Sequence, residues 1–231
     1  NPTKYMRVSE DITVNVVNGT NVRNWSELEK LINTTAVNSS NVNYNPVTDS
    51  IILLNKITMS GSINHFTIDN GRTLYGNLFE INIEAGRISD GVIQLNSSTL
   101  RDVKIVGKVF ATFAGDEYGS PAVRATGTSV VDNCYIANCR APLRIDGGTV
   151  TVRDSVFFGG RYCNIDHTGG VLVIDGKVTT IQQKVQDEKA NWVIGLGIST
   201  WFNDNAKTIQ FNDGADLIQY NFIDKDTANI L

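Results

Sequence analysis

Apolar and polar residues recur in one six-position pattern four times along the middle of the chain. Leu100-Arg101-Asp102-Val103-Lys104-Ile105 returns as Val131 to Ile136, Val152 to Phe157 and Val173 to Val178, with starts 31, 21 and 21 residues apart. The first interval is one period plus an insertion of ten residues. Position four is small (Val103, Cys134, Ser155, Gly176) and position six apolar, and with polar Lys104 and Tyr135 between them in the first two motifs they fit the two-residue period of a strand. Position one is apolar but out of phase with position four, so the chain must bend between them. The residue at that bend is Asp102, Asn133, Asp154 or Asp175, a type whose short side chain bonds local backbone and tolerates left-handed conformations. A second strand precedes each motif: Ile93 to Leu95, Val123 to Ala125, Leu143 to Ile145 and Cys163 to Ile165. Gly, Ser or Thr punctuation follows it at Ser97-Ser98, Gly127-Thr128, Gly147-Gly148 and Gly169-Gly170. Units this short bury no face alone and must stack, which predicts an all-β solenoid of roughly seven to nine coils. The competing arrangement is a β-sandwich of alternating strands.

The apolar-x-Asn/Asp-apolar-x-apolar coil resembles that of the pectate-lyase-like superfamily, which implies a single-stranded right-handed parallel β-helix. The resemblance covers Val92 to Val178, with weaker matches at Ile51 to Leu54 and Phe66 to Asn70. Pectin-hydrolysing members carry Asn-Thr-Asp, Asp-Asp, Gly-His-Gly and Arg-Ile-Lys, none of which is present. Ile165-Asp166-His167 matches three letters of the pectate-lyase Trp-Ile-Asp-His run, but the Arg-x-x-Pro-x-x-Arg stretch is missing. In style the chain is closest to bacteriophage tailspike and tail-fibre proteins. That likeness implies a virion or extracellular location, a homotrimer, and binding of a bacterial surface polysaccharide or other host receptor.

The flanks depart from the repeat. Residues 1–45 read as an N-terminal cap with a helix over about 25–33: Asn24 as N-cap, Glu27 completing a capping box, and Trp25, Leu28, Leu31 and Ile32 on one face. Residues 46–185 read as the solenoid and 186–231 as a closing or oligomerisation segment. In that segment Asn212-Asp213-Gly214 is a hairpin signal between strands at 208–211 and 217–223.

Candidate chemistry gathers on the outward columns of the strand before the bend. One column is Gln94, Arg124, Arg144 and Asn164; the next is Asn96, Thr126, Asp146 and Asp166, followed by His167. Asp146 and Asp166 on adjacent coils would lie about 5 Å apart at the backbone, and two close carboxylates can divide acid and base roles in cleaving a glycosidic bond. The ten-residue insertion, within 107–121, adds Phe113 and Tyr118 for stacking on sugars and Asp116 and Glu117 as alternative carboxylates. The expected site is therefore Asp146, Asp166, Asp116 and Glu117 for catalysis, and Phe113, Tyr118, Arg124, Arg144, Asn164 and His167 for ligand binding. Three functions remain open: glycan or receptor binding, polysaccharide hydrolysis or lysis, and a structural spacer in a viral assembly. Alternating Arg and Asp on neighbouring coils would also serve simply to balance surface charge.

Charge and composition narrow the partners. Net charge is −4 and the 20 Lys and Arg are scattered, which argues against a nucleic-acid surface. Three cysteines, Cys134, Cys139 and Cys163, form no disulfide framework, and with two histidines they match no zinc spacing, so neither metal nor cofactor is expected. No apolar run has the length of a membrane helix, so membrane insertion is not expected either. The Asn-Pro start reads as an excised fragment or processed product. Five Asn-x-Ser/Thr sequons, at Asn18, Asn24, Asn33, Asn38 and Asn96, read as chance in an Asn-rich chain.

Overall fold

The computed structural model describes residues 17–37, 44–60, 65–84, 91–107, 121–182, 184–186, 192–194, 196–200 and 206–220. After β1 (Thr20–Val22) and α1 (Trp25–Glu29), the chain passes repeatedly through three sheets in the same order. Coil 1 is β2 (Ile51–Leu53), β3 (Ile57–Met59) and β4 (Phe66–Asp69); coil 2 is β5 (Thr73–Tyr75), β6 (Glu80–Ile83) and β7 (Ile93–Asn96). Coil 3 is β8 (Thr99–Arg101), β9 (Lys104–Val106) and β10 (Val123–Thr126); coil 4 is β11 (Thr128–Asp132), β12 (Tyr135–Ala137) and β13 (Leu143–Ile145). Coil 5 is β14 (Thr149–Arg153), β15 (Val156–Phe158) and β16 (Cys163–His167). Coil 6 is β17 (Gly170–Asp175), β18 (Lys177–Ile181) and β21 (Leu196–Ser199), with a two-stranded antiparallel hairpin, β19 (Lys184–Gln186) and β20 (Trp192–Ile194), inserted before β21. Coil 7 holds β22 (Lys207–Phe211) and β23 (Asp216–Tyr220).

Every pairing within the three stacks is parallel, giving sheets of eight (sheet 1), seven (sheet 2) and six strands (sheet 3). This all-β arrangement is that of a parallel β-helix, as the 21-residue repeat requires. The core is a set of columns: Leu74, Leu100, Val131, Val152 and Ile174 stack in sheet 1, and Ile81, Ile105, Ile136 and Phe157 in sheet 2, all fully buried.

Each tight corner has its own ladder. Between sheets 1 and 2 the bend residues Asp102, Asn133 and Asp154 are left-handed, with φ of 53°, 49° and 43°. Asn133 donates to Asp102 Oδ1 at 2.7 Å, and Asp154 Oδ1 accepts from the Lys177 N–H at 2.8 Å. On the next rung Gly176 (φ 60°), not Asp175, takes the bend. The sheet 1 register has slipped by one there, so Val152 lies over Ile174 rather than Val173, and in sheet 2 Phe157 lies over Thr180 rather than Val178. Between sheets 3 and 1 the left-handed column is Gly71, Ser97, Gly127, Gly148 and Gly170.

The N-terminal elements meet the first strand of every sheet. β1 pairs with β2, α1 contacts β3, and Pro46 bridges to Thr67 in β4. The helix is shorter than its apolar spacing predicts. Lys30 caps it, and the following turn tightens, with Leu31 N–H bonding Leu28 C=O and Ile32 N–H bonding Glu29 C=O. Asn24 Oδ1 accepts from Glu27 N–H at 2.9 Å, while the Glu27 carboxylate reaches back to Arg23 N–H at 2.7 Å. Trp25 and Leu28 are buried, and the Trp25 ring lies 6.3 Å from that of Phe66.

At the other end, Asn212-Asp213-Gly214 makes a corner rather than a hairpin. β22 pairs in parallel with β17 and β23 with β18, so the two strands belong to different sheets.

Candidate functional site

The three corners differ in length, and that difference places the site. Sheet 1 to sheet 2 connections take one to four residues. Sheet 2 to sheet 3 connections range from four residues at 159–162 to sixteen at 107–122, and the β19–β20 hairpin emerges from the same corner. Sheet 3 to sheet 1 connections take one to three residues except the seven at 200–206, so the longest additions to the solenoid arise between sheets 2 and 3.

The outer column of sheet 3 runs Thr67, Gln94, Arg124, Arg144, Asp166, Ser199. This corrects the expected alignment by two residues on the fifth coil. Asp166 sits next to Arg144, whereas Asn164 lies further back and ties the corner, accepting from Gly160 N–H at 3.0 Å and donating to Ile181 C=O at 2.9 Å. Asp146 and Asp166 are therefore offset diagonally. The physical reason is corner length: Arg144 and Asp166 are 22 residues apart, against 20 between Arg124 and Arg144.

Asp146 is the hub. Its Oδ2 accepts from Arg124 Nε, and its Oδ1 accepts from Arg144 Nε at 2.7 Å and from the Thr168 hydroxyl at 2.7 Å. Burial alone would raise this carboxyl, but the Thr168 hydrogen bond and the two arginines outweigh it and hold it below the usual carboxylate range. Asp146 is thus fixed as an anion. Asp166 is the converse: it is 2 % exposed, and burial pushes its carboxyl upward against the partial offset of Arg144 and Arg140, while Asp146 adds to the rise. Its Oδ1 is buried with no hydrogen-bond partner among the described residues.

His167 has the opposite direction from Asp166. It continues the interior column of Ile68, Leu95, Ala125 and Ile145 and is fully buried. Arg124 and Arg144 retain side-chain exposures of 29 % and 27 %, whereas Thr67, Gln94 and Ser199 are buried. The accessible part of the face is therefore centred on coils 3 and 4, and the sheet 2 to sheet 3 connection of coil 3 is the one that spans 107–122. Phe113, Asp116, Glu117 and Tyr118 of that insertion lie outside the described residues.

Sequence reasoning passed over Arg140 and Tyr162, which lie just before sheet 3 on coils 4 and 5. Arg140 stands over the Tyr162 ring at 5.5 Å, and the Tyr162 hydroxyl is 2.9 Å from Ser199 Oγ. Their signal was position: each sits in a short sheet 2 to sheet 3 corner, at Asn138-Cys139-Arg140 and Gly160-Arg161-Tyr162. A separate open depression at the N-terminal end is lined by Trp25, Ser26, Glu29, Lys56, Thr58 and Ser60. Among the described residues no group of three or more His, Cys, Asp or Glu is arranged to hold a metal ion, and no helix is long and apolar enough to cross a membrane.

Chemically, the face offers an ionised Asp146 locked between two part-exposed guanidinium groups, with a buried Asp166 whose carboxyl is pushed upward by burial next to Arg144. A scan against protein-family models finds no matching family, and searches of curated proteins and of solved structures find no significant match.

Proposed function

We propose that this chain is a glycan-binding β-helix of the tailspike or tail-fibre type. In this reading it is virion-associated and homotrimeric, and it engages a bacterial surface polysaccharide or other host receptor through Arg124, Arg144 and the 107–121 insertion, with Phe113 and Tyr118 as stacking groups. The coil is taken as right-handed, the hand favoured for parallel crossovers. Helix α1 acts as the lid of the first coil, which the N-terminal contacts with all three sheets support. One observation carries the functional reading: the three longest connections, at 84–92, 107–122 and 182–195, all leave the solenoid between sheets 2 and 3, the corner that leads into the face presenting the two part-exposed arginines. A scaffold that lengthens one corner far more than the others concentrates recognition there.

A depolymerase is the second reading, favoured by the opposite pKa directions of Asp146 and Asp166. The burial of Asp166 and the three hydrogen bonds on Asp146 weigh against it. A panel of capsular and O-antigen glycans separates the readings. Binding that falls at least ten-fold in Arg144→Gln, without release of reducing ends, supports the binder. Turnover lost in Asp166→Asn supports the enzyme. Absence of both leaves the spacer.

A further inference from the structure

We propose that His167 is an acid-sensitive latch: protonation of its buried ring loosens coils 6 and 7 while coils 1 to 4 stay folded. The proposal stands on where the ring lies. His167 occupies an otherwise aliphatic interior column and is 0 % exposed. Its Nε2 is 3.0 Å from the Gly170 carbonyl. A carbonyl only accepts, so Nε2 carries the proton of the neutral ring and Nδ1 is bare. Nδ1 is buried and has no hydrogen-bond partner among the described residues. A second proton, taken from solvent onto Nδ1, would create a buried cation with an unsatisfied N–H.

The position couples that cost to the end of the solenoid. Gly170, which accepts from His167, donates its own N–H to Ala206 C=O at 3.0 Å and pairs with Lys207 at the start of coil 7. Coil 7 is also the least buried, with the inward residues Ile209 and Phe211 exposed by 37 % and 56 %. Strain at the 168–170 corner is therefore applied where the least burial opposes release.

Burial sets the sign and the neighbouring groups modify it. Burial, the largest influence, holds the imidazole below its ordinary value and Lys207 adds to this, while the Gly170 and Gly169 carbonyls and Asp166 partly offset it. Arg144 is the one titratable residue within β13 and belongs to the outer column, and β15 and β21 contribute no titratable side chain. A histidine depressed in the folded state contributes stability that is present above the unfolded value and lost as pH falls below about 6.5. Asp166 acts in the opposite sense, since its raised carboxyl is relieved by acid, so it blunts the response.

Hydrogen exchange on the intact chain tests the latch. Corrected for intrinsic rates, protection in β17, β18, β22 and β23 should fall by about sixteen-fold between pH 6.5 and pH 5.0 if the folded ring stays neutral. Coils 1 to 4 should hold, the response should deepen in Asp166→Asn, and it should vanish in His167→Leu but persist in His65→Gln. The chain has two histidines, so imidazole NMR on the unmutated protein gives a second readout that needs no variant. Protonation of His167 must coincide with loss of protection in coils 6 and 7. The proposal is overturned if His167 protonates with those coils intact, if all coils lose protection together, or if no acid step occurs.

Discussion

Three glycine-to-alanine changes separate the cost of a left-handed backbone from the cost of rung stacking. Gly147 has room for a methyl group and no left-handed φ, so Gly147→Ala should alter stability by less than about 0.5 kcal/mol. Gly71 has φ +73° but also nothing within 4 Å, so Gly71→Ala meets only the conformational penalty. That penalty is about 1–2 kcal/mol, partly offset by the smaller entropy of the unfolded chain, leaving about 1 kcal/mol. Gly148 has φ +75° and lies on the rung above Gly127, whose carbonyl oxygen would be 2.3 Å from the new Cβ, with its nitrogen at 2.6 Å. No rotamer relieves a backbone contact, so the corner must open by about an ångström against a rung spacing of about 4.8 Å. The bonds Thr149 N–H to Gly127 C=O and Val171 N–H to Gly148 C=O, both 2.8 Å, then lengthen and weaken. At about 1 kcal/mol each they bring the total for Gly148→Ala to about 3 kcal/mol. Urea unfolding followed by far-ultraviolet circular dichroism gives the three values on one scale. If Gly148→Ala costs no more than Gly71→Ala, the corners are not stacked and the register of sheets 1 and 3 is wrong.

Other outcomes follow from the same contacts. Asp146→Asn leaves Arg124 and Arg144 without their shared anion and should cost about 2–4 kcal/mol in the same urea assay, at the lower end because both guanidinium groups are part-exposed. Asp166→Asn removes a carboxyl that burial disfavours when charged; the variant should gain stability at pH 7, and the gain should shrink as pH falls toward 3.8, read as a converging denaturation midpoint. The Cys134 thiol, pushed up to about 12 by burial, should stay inert to an aromatic disulfide reagent at pH 8 until the chain unfolds, as should the buried Cys163, whose thiol is also raised.

The corner residues made the fold legible in the sequence. Asp102, Asn133 and Asp154 share a left-handed bend, and a period of 21 with apolar first and sixth positions and a small fourth has few solutions other than stacked coils. What the pattern could not supply was register where a corner changes length. A strand's two-residue alternation looks the same when shifted by two, so the text alone placed Asn164 beside Arg144 and Asp166 beside Asp146. Around the fourth motif the spacing grew to 22 in sheet 1 and 23 in sheet 2, and Gly176 displaced Asp175 from the bend. The 212–214 turn failed for a related reason: Asn-Asp-Gly favours a tight reversal, but in a solenoid each strand's partner is one coil away, so the same residues turn the chain from sheet 1 into sheet 2.

The slip in sheet 3 also changes what kind of ligand suits the face. In the register first expected, two carboxylates would stand side by side on adjacent rungs, the geometry of an acid–base pair. In the observed register Arg144 stands next to Asp166, while Asp146 is drawn between Arg124 and Arg144 and ionised by them. A proton donor must be reachable by solvent or substrate; Asp166, the one carboxyl of the pair that favours keeping its proton, lies buried. Arg124 and Arg144 need no proton movement to bind an oxygen-rich ligand. Their orientation is already set by Asp146, which lowers the entropy lost when a ligand docks. On the proposed glycan-binding reading, exchanging Asp146 for Asn should weaken binding through the arginines it orients, even where the fold survives, and this effect on affinity distinguishes a preorganised clamp from a charge-balancing surface.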